Sequence, residues 1–139
     1  MFDPLQIALK VSASGLEAQS KRLRVVAENL ANAQSTATTP GGDPYTRKVV
    51  TFESEVDEAA GASMVKIGGV ERYQSPFRLE YSPGHPAADA SGYVKLPNVD
   101  MMTEVADMHE ANRSYEANIQ VIKQAREMIA MTIDLLRSN

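Results

Sequence analysis

The chain has 139 residues, of which 43% are hydrophobic and 23% charged, a composition typical of one modest folded domain. Its net charge is -4 and its basic residues are scattered, so we expect no nucleic-acid partner. The absence of cysteine excludes a disulfide framework and a thiolate metal site. The N-terminus lacks the pattern of a secretory signal, and no apolar run reaches membrane-spanning length, so we also expect no cleaved signal peptide and no membrane insertion.

The first segment predicts a helix of about thirty residues. Asp3 is a candidate N-cap, and Pro4 follows at the first helical position, where its missing N–H costs nothing. Leucines then recur every seven residues, at Leu9, Leu16, Leu23 and Leu30, and the interleaved positions include Val26. This spacing is typical of the narrow apolar stripe of a coiled coil.

Two amides, Asn29 and Asn32, flank this stripe near the end of the predicted helix. An amide beside an apolar stripe can hydrogen-bond to a neighbouring subunit in one register, because a slipped register would leave it unsatisfied. Asparagine also helps to end helices. Both interpretations stand open for Asn32, whereas the position of Asn29 further inside the helix favours a subunit contact.

The middle of the chain has the composition of strands and turns. Six of the seven prolines and seven of the eight glycines lie between residues 40 and 97, which makes long helices there improbable. Short β-branched and aromatic runs between Tyr45 and Leu96 predict two to four short strands. We therefore expect residues 35–97 to form a small β-rich insertion.

A second long helix is predicted after Pro97, capped by Asn98 or Asp100 and running to about Arg137. Its apolar stripe contains Val105, Met108, Tyr115, Ile119, Ile122, Ile129, Ile133 and Leu136. The predicted fold class is mainly α with a small β-rich insertion. The two terminal helices are expected to pair antiparallel as a coiled-coil-like hairpin, in a discontinuous domain of residues 1–34 and 98–139.

A single pair of such helices leaves much of each apolar stripe exposed to water. Complete burial of one leucine is worth about 1.5 to 3 kcal/mol. Several exposed leucines and isoleucines therefore give a driving force for association that is comparable to the stability of a whole domain. The sequence predicts a chain that assembles with further helices.

The sequence also resembles a known family. The stretch "SGLEAQSKRLRVVAENLANAQST", followed by "YTRKVVTF", is similar to the N-terminal signature of the rod and hook proteins of the bacterial flagellum. The stretch "SPFRLEYSPGHPAADASGYVKLPNVDMMTEVADMHEANRSYEANIQVIK" resembles the short proximal-rod members of that family, and the similarity covers nearly the whole chain.

This resemblance implies a structural subunit of the proximal rod of the flagellar basal body. Such a subunit polymerises helically with itself and with sister rod proteins into the drive shaft, which transmits torque and carries the export channel. It also implies export by the flagellar type III apparatus without a cleaved signal peptide, and a location in the rod that crosses the periplasm. In this family the paired terminal helices form the inner wall of the tube.

The candidate assembly interface follows the two helical stripes and the two amides. It comprises Leu9, Leu16, Leu23, Val26, Asn29, Leu30, Asn32, Tyr115, Ile119, Ile122, Ile129, Ile133 and Leu136. We expect no catalytic residue, metal site, cofactor or small-molecule substrate. His109 adjoins Glu110, but Arg113 stands where a zinc-binding helix would carry its second histidine.

Two other classes of function compete with a polymer subunit. A soluble helical binding module, such as a secretion chaperone or adaptor, would keep its helices together in a fixed dimer, which light scattering would detect. An enzyme would need convergent polar groups in a cleft, and the sequence motifs predict none.

Overall fold

Two long helices lie at the two ends of the chain in the computed structural model, which describes residues 3–139. The elements in order are α1 (Pro4–Ala31), β1 (Lys48–Asp57), β2 (Ala62–Arg72), β3 (Arg78–Tyr81), β4 (Tyr93–Leu96) and α2 (Met101–Arg137). The predicted class of two terminal helices around a small β-rich insertion is confirmed at this level. Residues 1 and 2 of the predicted domain 1–34 lie outside the described residues.

Helix α1 begins as the sequence predicts. The Asp3 carboxylate accepts a hydrogen bond from the Leu5 N–H at 3.0 Å, and the Asp3 carbonyl accepts one from Ile7 at 3.1 Å. The first contact satisfies an N–H group that has no carbonyl partner in the first helical turn, and the second is the first regular hydrogen bond of the helix. At the other end, the Asn32 side chain donates to the Glu28 carbonyl at 2.9 Å, so this amide pairs with the last turn of its own helix.

Of the two residues predicted to cap α2, Asp100 is the one that does so. Its carboxylate accepts a hydrogen bond from the Met102 N–H at 2.9 Å, and its carbonyl accepts one from Glu104 at 3.0 Å. The helix runs to Arg137, whose positive charge lies at the negative end of the helix dipole. None of the helices within residues 3–139 is long and apolar enough to cross a membrane.

The insertion contains two separate two-stranded sheets, β1 with β2 and β3 with β4. A short turn joins β1 to β2, where the Asp57 carboxylate accepts the N–H groups of Ala59 and Ala60. Strands β3 and β4 are antiparallel, with Leu79 opposite Lys95 and Tyr81 opposite Tyr93. Since each sheet has only two strands, neither is large enough to be stable without packing against the rest of the chain.

Gly92 makes the approach to β4 possible. Its φ of +85° lies in the left-handed region, which glycine adopts without steric cost. A Cβ atom at this position would also lie 2.9 Å from the Tyr81 ring. The missing side chain therefore lets Tyr81 pack edge to face against Tyr93, with 5.3 Å between the ring centroids.

The chain divides into two compact units, and each helix contributes to both. The first contains the residues up to Leu23, Thr51–Gly69 and His109–Asn139, and the second contains Arg24–Val50 and Val70–Met108. Small side chains predominate among the buried residues of the first unit, namely Ser12, Ala18, Ala60, Ala111 and Ala125. The second unit buries larger groups, including Val26, Asn29, Val94, Val99 and Glu104.

Candidate assembly interface

The predicted leucine stripe of α1 is only half-buried in the single chain. Leu9, Leu16, Leu23 and Leu30 all keep part of their surface exposed. The positions that are fully buried on this helix are instead Ser12, Ala18, Val25, Val26 and Asn29. The single chain thus buries the small side chains of α1 more completely than its large ones.

The more buried face of α2 consists of small and polar residues. Glu104, Ala111, Asn118 and Ala125 recur every seven residues, and three of the four are fully buried. Asn118 lies so close to Gly15 that a Cβ atom there would come within 2.8 Å of its amide nitrogen. Close approach of helix backbones explains why glycine, alanine and asparagine occupy these positions.

From Tyr115 onwards, the predicted stripe of α2 becomes more exposed towards the end of the helix. Tyr115, Ile119, Ile122 and Ile129 are half-buried, Ile133 is exposed, and Leu136 is 75% exposed. Met128, Met131 and Leu135 are exposed on neighbouring sides of the same turns. A helix that is apolar over most of its circumference is normally enclosed by other elements, so these turns are the strongest candidate for contact with other subunits.

A buried hydrogen-bond network dominates the second unit, and Asn29 is its centre. This residue is 1% exposed. Its amide oxygen accepts the Lys48 N–H at 2.9 Å and the Tyr45 hydroxyl at 2.7 Å. Its amide nitrogen donates to the Lys48 carbonyl at 2.8 Å and to the Glu104 carboxylate at 3.2 Å. The sequence favoured a subunit contact for Asn29, but the structure pairs its whole amide within the chain.

Glu104 brings the start of α2 into the same network. It is 0% exposed, and its carboxylate forms an ion pair with the Arg47 guanidinium besides accepting the Asn29 amide. A buried carboxylate without partners would cost several kcal/mol, so this pairing is a condition for burying it. Three distant parts of the sequence meet here, namely the end of α1, the approach to β1, and the first turn of α2.

Asn98 extends the network to the segment after β2. Its side-chain oxygen accepts the Arg47 N–H at 2.8 Å. Its nitrogen donates to the Tyr73 carbonyl at 2.9 Å and to the Ser75 hydroxyl at 3.0 Å. Asn98 was predicted as a possible helix cap, and the structure gives it a tertiary role instead. Within residues 3–139, every buried polar side-chain atom has a hydrogen-bond partner.

Tyr45 is held as a neutral donor in this environment. Burial raises the pKa of its hydroxyl from 10.0 to about 12, and the negative charges of Glu28 and Glu104 act in the same direction. The proton that Tyr45 donates to Asn29 is therefore retained at every pH below about 10. The network does not change its protonation at this position under physiological conditions.

The adjacent pair His109 and Glu110 does not form a buried polar site. His109 and Glu110 are exposed, whereas Glu104 is buried against Arg47. His85 lies in the loop between β3 and β4, where it accepts a hydrogen bond from the Ala87 N–H at 3.0 Å. The part of the chain that the structure describes contains no group of three histidine, cysteine or acidic side chains that could hold a metal ion.

Sequence comparison relates both ends of the chain to proteins of one kind. Residues 9–37 match the family described as flagella basal body rod protein, and residues 90–135 match the family described as flagellar basal body rod FlgEFG protein C-terminal. These two segments contain Asn29 and Glu104 as well as most of the predicted interface.

Individual relatives extend the similarity over the whole chain. The flagellar basal-body rod protein FlgC of Agrobacterium fabrum is 56% identical over 138 residues, which cover 99% of both chains. The protein of the same name from Salmonella typhimurium is 46% identical over 125 residues, or 90% of this chain and 92% of the relative. That of Borreliella burgdorferi is 35% identical and covers 94% and 96% of the two chains. The aligned regions thus cover the insertion as well as the helices.

Proposed function

The chain belongs to the FlgC family of flagellar basal-body rod proteins, and from this premise we propose that it is a proximal-rod subunit that polymerises helically with itself and with sister rod proteins. As a member of this family it is a structural subunit of the flagellar rod, located in the basal body. The relatives described above are all named as rod proteins, which favours this function over a secretion chaperone or adaptor.

The apolar end of α2 is the single observation that best supports polymerisation. Leu136 is 75% exposed, and Met128, Met131, Ile133 and Leu135 are exposed beside it. Each of these side chains gains about 1.5 to 3 kcal/mol when it is fully buried. A neighbouring subunit that covers this end would therefore supply a large part of the free energy of assembly.

We propose that the interface consists of the half-buried and exposed positions of the two stripes. They are Leu9, Leu16, Leu23, Leu30, Tyr115, Ile119, Ile122, Ile129, Ile133 and Leu136. Val26, Asn29 and Asn32 would support this surface by fixing the end of α1. In this division the small residues of α1 and α2 serve contacts within the chain, and the large apolar residues serve contacts between chains.

The same proposal includes an antiparallel pairing of the helices within the domain formed by residues 1–34 and 98–139. Two contacts in the first unit support it. Gly15 lies against Asn118, and Arg22 forms an ion pair with Glu110 at 3.5 Å. Residue numbers rise on α1 as they fall on α2, which is the order of an antiparallel pair. Residues 35–97 would then form the outer part of the subunit.

We also propose that the subunit reaches the periplasm-crossing rod through the flagellar type III export apparatus, without a cleaved signal peptide. In the assembled rod it would line the export channel and transmit torque. No cofactor or small-molecule substrate is needed for this role, and we propose no catalytic activity.

The test replaces Leu136 by aspartate in the full-length chain. We expect the purified variant to keep its helical content, because this side chain is already exposed in the single chain. We expect the variant not to restore rods or motility in a strain that lacks the protein, because a carboxylate in a desolvated interface costs several kcal/mol.

The matched control is Gln124→Asp, an exposed position on another side of the same helix, which should restore both. Normal basal bodies in the Leu136→Asp strain would show that this stripe is not a subunit interface. Failure of the unaltered chain to complement would contradict the assignment to the rod itself.

A further inference from the structure

The sulfur groups of this chain lie at its surface. The sequence has seven methionines and no cysteine, so thioethers are its only sulfur groups. In the part of the chain that the structure describes, every methionine keeps some of its surface exposed. Met102, Met131 and Met128 are the most exposed of them, at 79%, 61% and 53%. Thioethers with this exposure are accessible to oxidants in solution.

Met128 and Met131 belong to the apolar end of α2. They lie three positions apart on one side of the helix, and Leu135 follows one turn later on the same side. Leu135 is 67% exposed. This end of the helix is the surface that the proposed function assigns to contacts between subunits, so the two thioethers form an apolar part of that surface.

Oxidation converts such a side chain from apolar to polar. The thioether sulfur attacks one oxygen of a peroxide, so that the O–O bond breaks and an S–O bond forms. The sulfur loses two electrons to the peroxide, whose departing oxygen takes up the proton of the transferred oxygen and leaves as water or an alcohol. The product is a sulfoxide, whose oxygen needs water or a hydrogen-bond donor.

We propose that Met128 and Met131 are the sites at which oxidation by a peroxide prevents the free subunit from assembling. This inference rests on the proposed function and concerns the regulation of the same surface. In the free subunit both sulfoxides face water, so the fold of the single chain is unaffected. In an apolar contact with a neighbour, each sulfoxide oxygen would lose its water without gaining a donor, and the contact would be weakened.

Met101 and Met102 provide a matched comparison at the other end of the helix. They are also exposed, at 48% and 79%. They border a groove whose lining includes the charged side chains of Arg78 and Asp100. Because these charged groups hold water at this surface, a sulfoxide here stays hydrated. We therefore expect oxidation of Met101 and Met102 to leave assembly unchanged.

Glutamine serves as a permanent substitute for the sulfoxide, because it is polar, unbranched and as good a helix former as methionine. The full-length chain with Met128→Gln and Met131→Gln is expressed in a strain that lacks the protein. We expect unchanged circular dichroism of the purified chain and a loss of rods and motility. The chain with Met128→Leu and Met131→Leu should restore both, because leucine keeps the surface apolar. The chain with Met101→Gln and Met102→Gln should also restore both.

Mass spectrometry tests the oxidation itself. The strain with the unaltered chain is grown in sublethal hydrogen peroxide, and its purified basal bodies are compared with the subunits that are not incorporated. Sulfoxide at Met128 and Met131 is measured relative to sulfoxide at Met101 and Met102 in the same sample. This ratio should be at least about tenfold lower in the basal bodies, because one unsatisfied polar group in an interface is worth about that factor in affinity.

Several outcomes would overturn this inference and leave the rod function intact. They are restored motility with the two glutamines at 128 and 131, and an equal sulfoxide ratio in the two samples. A loss of rods with the two leucines, or with the glutamines at 101 and 102, would do the same, because the defect would not be specific to polarity at the end of α2. Failure of the unaltered chain to complement would contradict the rod function, and this inference with it.

Discussion

Replacement of Asn29 by alanine removes the centre of the buried network. The amide makes four hydrogen bonds, two to the backbone of Lys48 and one each to the Tyr45 hydroxyl and the Glu104 carboxylate. The Glu104 carboxylate cannot turn to water without opening the structure, because it is 0% exposed. Each buried group left without its partner costs about 1 to 3 kcal/mol.

Since the Lys48 and Tyr45 groups are only partly buried, we expect the four losses together to lower the free energy of unfolding by about 3 to 5 kcal/mol. This is a large part of the stability of a domain, which is about 5 to 15 kcal/mol. The measurement is urea denaturation of the purified chain, followed by circular dichroism, with the slope compared between variants.

Asn32→Ala is the matched control, because it removes the same side chain three positions further along. The Asn32 amide donates only to the Glu28 carbonyl in its own helix and is half-buried. We therefore expect a loss below about 1 kcal/mol. Equal losses for the two alanine variants would refute the reasoning, since they would mean that the tertiary hydrogen bonds of Asn29 add nothing to stability.

Three further predictions concern other parts of the chain. The contribution of Tyr45 to stability should be constant up to about pH 10 and should fall between about pH 10 and 12, because its raised pKa lets the unfolded chain ionise first; Tyr45→Phe should remove this component in alkaline titrations. Gly92→Ala should cost about 1 to 2 kcal/mol in urea denaturation because of its positive φ, whereas Gly84→Ala, with open space around it, should be nearly neutral. Deletion of residues 129–139 should abolish complementation, while NMR still detects the folded second unit.

The helix boundaries were predictable because their signals are local. Asp3 and Pro4 mark the start of α1, and Asp100, which caps α2, lies immediately before that helix. The β-rich character of the insertion followed equally well from its prolines and glycines. A cap or a turn depends on neighbours in sequence, so its interactions can be inferred without knowing the fold.

The packing of the helices was less accessible to sequence reasoning. Leucines at intervals of seven predict an apolar stripe that packs against another helix. The more deeply buried positions of the single chain are instead small residues such as Ala18 and Ala111. Alanine is common on every face of a helix, and its burial depends on how closely another helix approaches. The buried face of α2 has its own interval of seven, at Glu104, Ala111, Asn118 and Ala125. This pattern does not indicate burial by itself, because an acidic residue is one of its four members.

The network around Asn29 could not have been predicted from the pattern. Its partners are 16 to 75 positions away in the sequence. Glu104 lies in the first turn of α2, where a negative charge favours the helix, but this local signal says nothing about its burial. A polar residue in a helix has no local signal that separates solvent exposure from a tertiary role, so only the fold reveals which one applies.

The way in which Asn29 binds residue 48 has a consequence for how the protein can change in evolution. The amide contacts only the N–H and carbonyl of Lys48, groups that nearly every amino acid presents alike. Position 48 can therefore accept many side chains without weakening this contact, but not proline, which has no N–H to donate. Position 29 has no such freedom, because only a short amide offers a donor and an acceptor at that reach. The two sides of this contact therefore differ in the substitutions that they tolerate. Position 48 can vary widely, whereas position 29 on the helix can hardly vary at all.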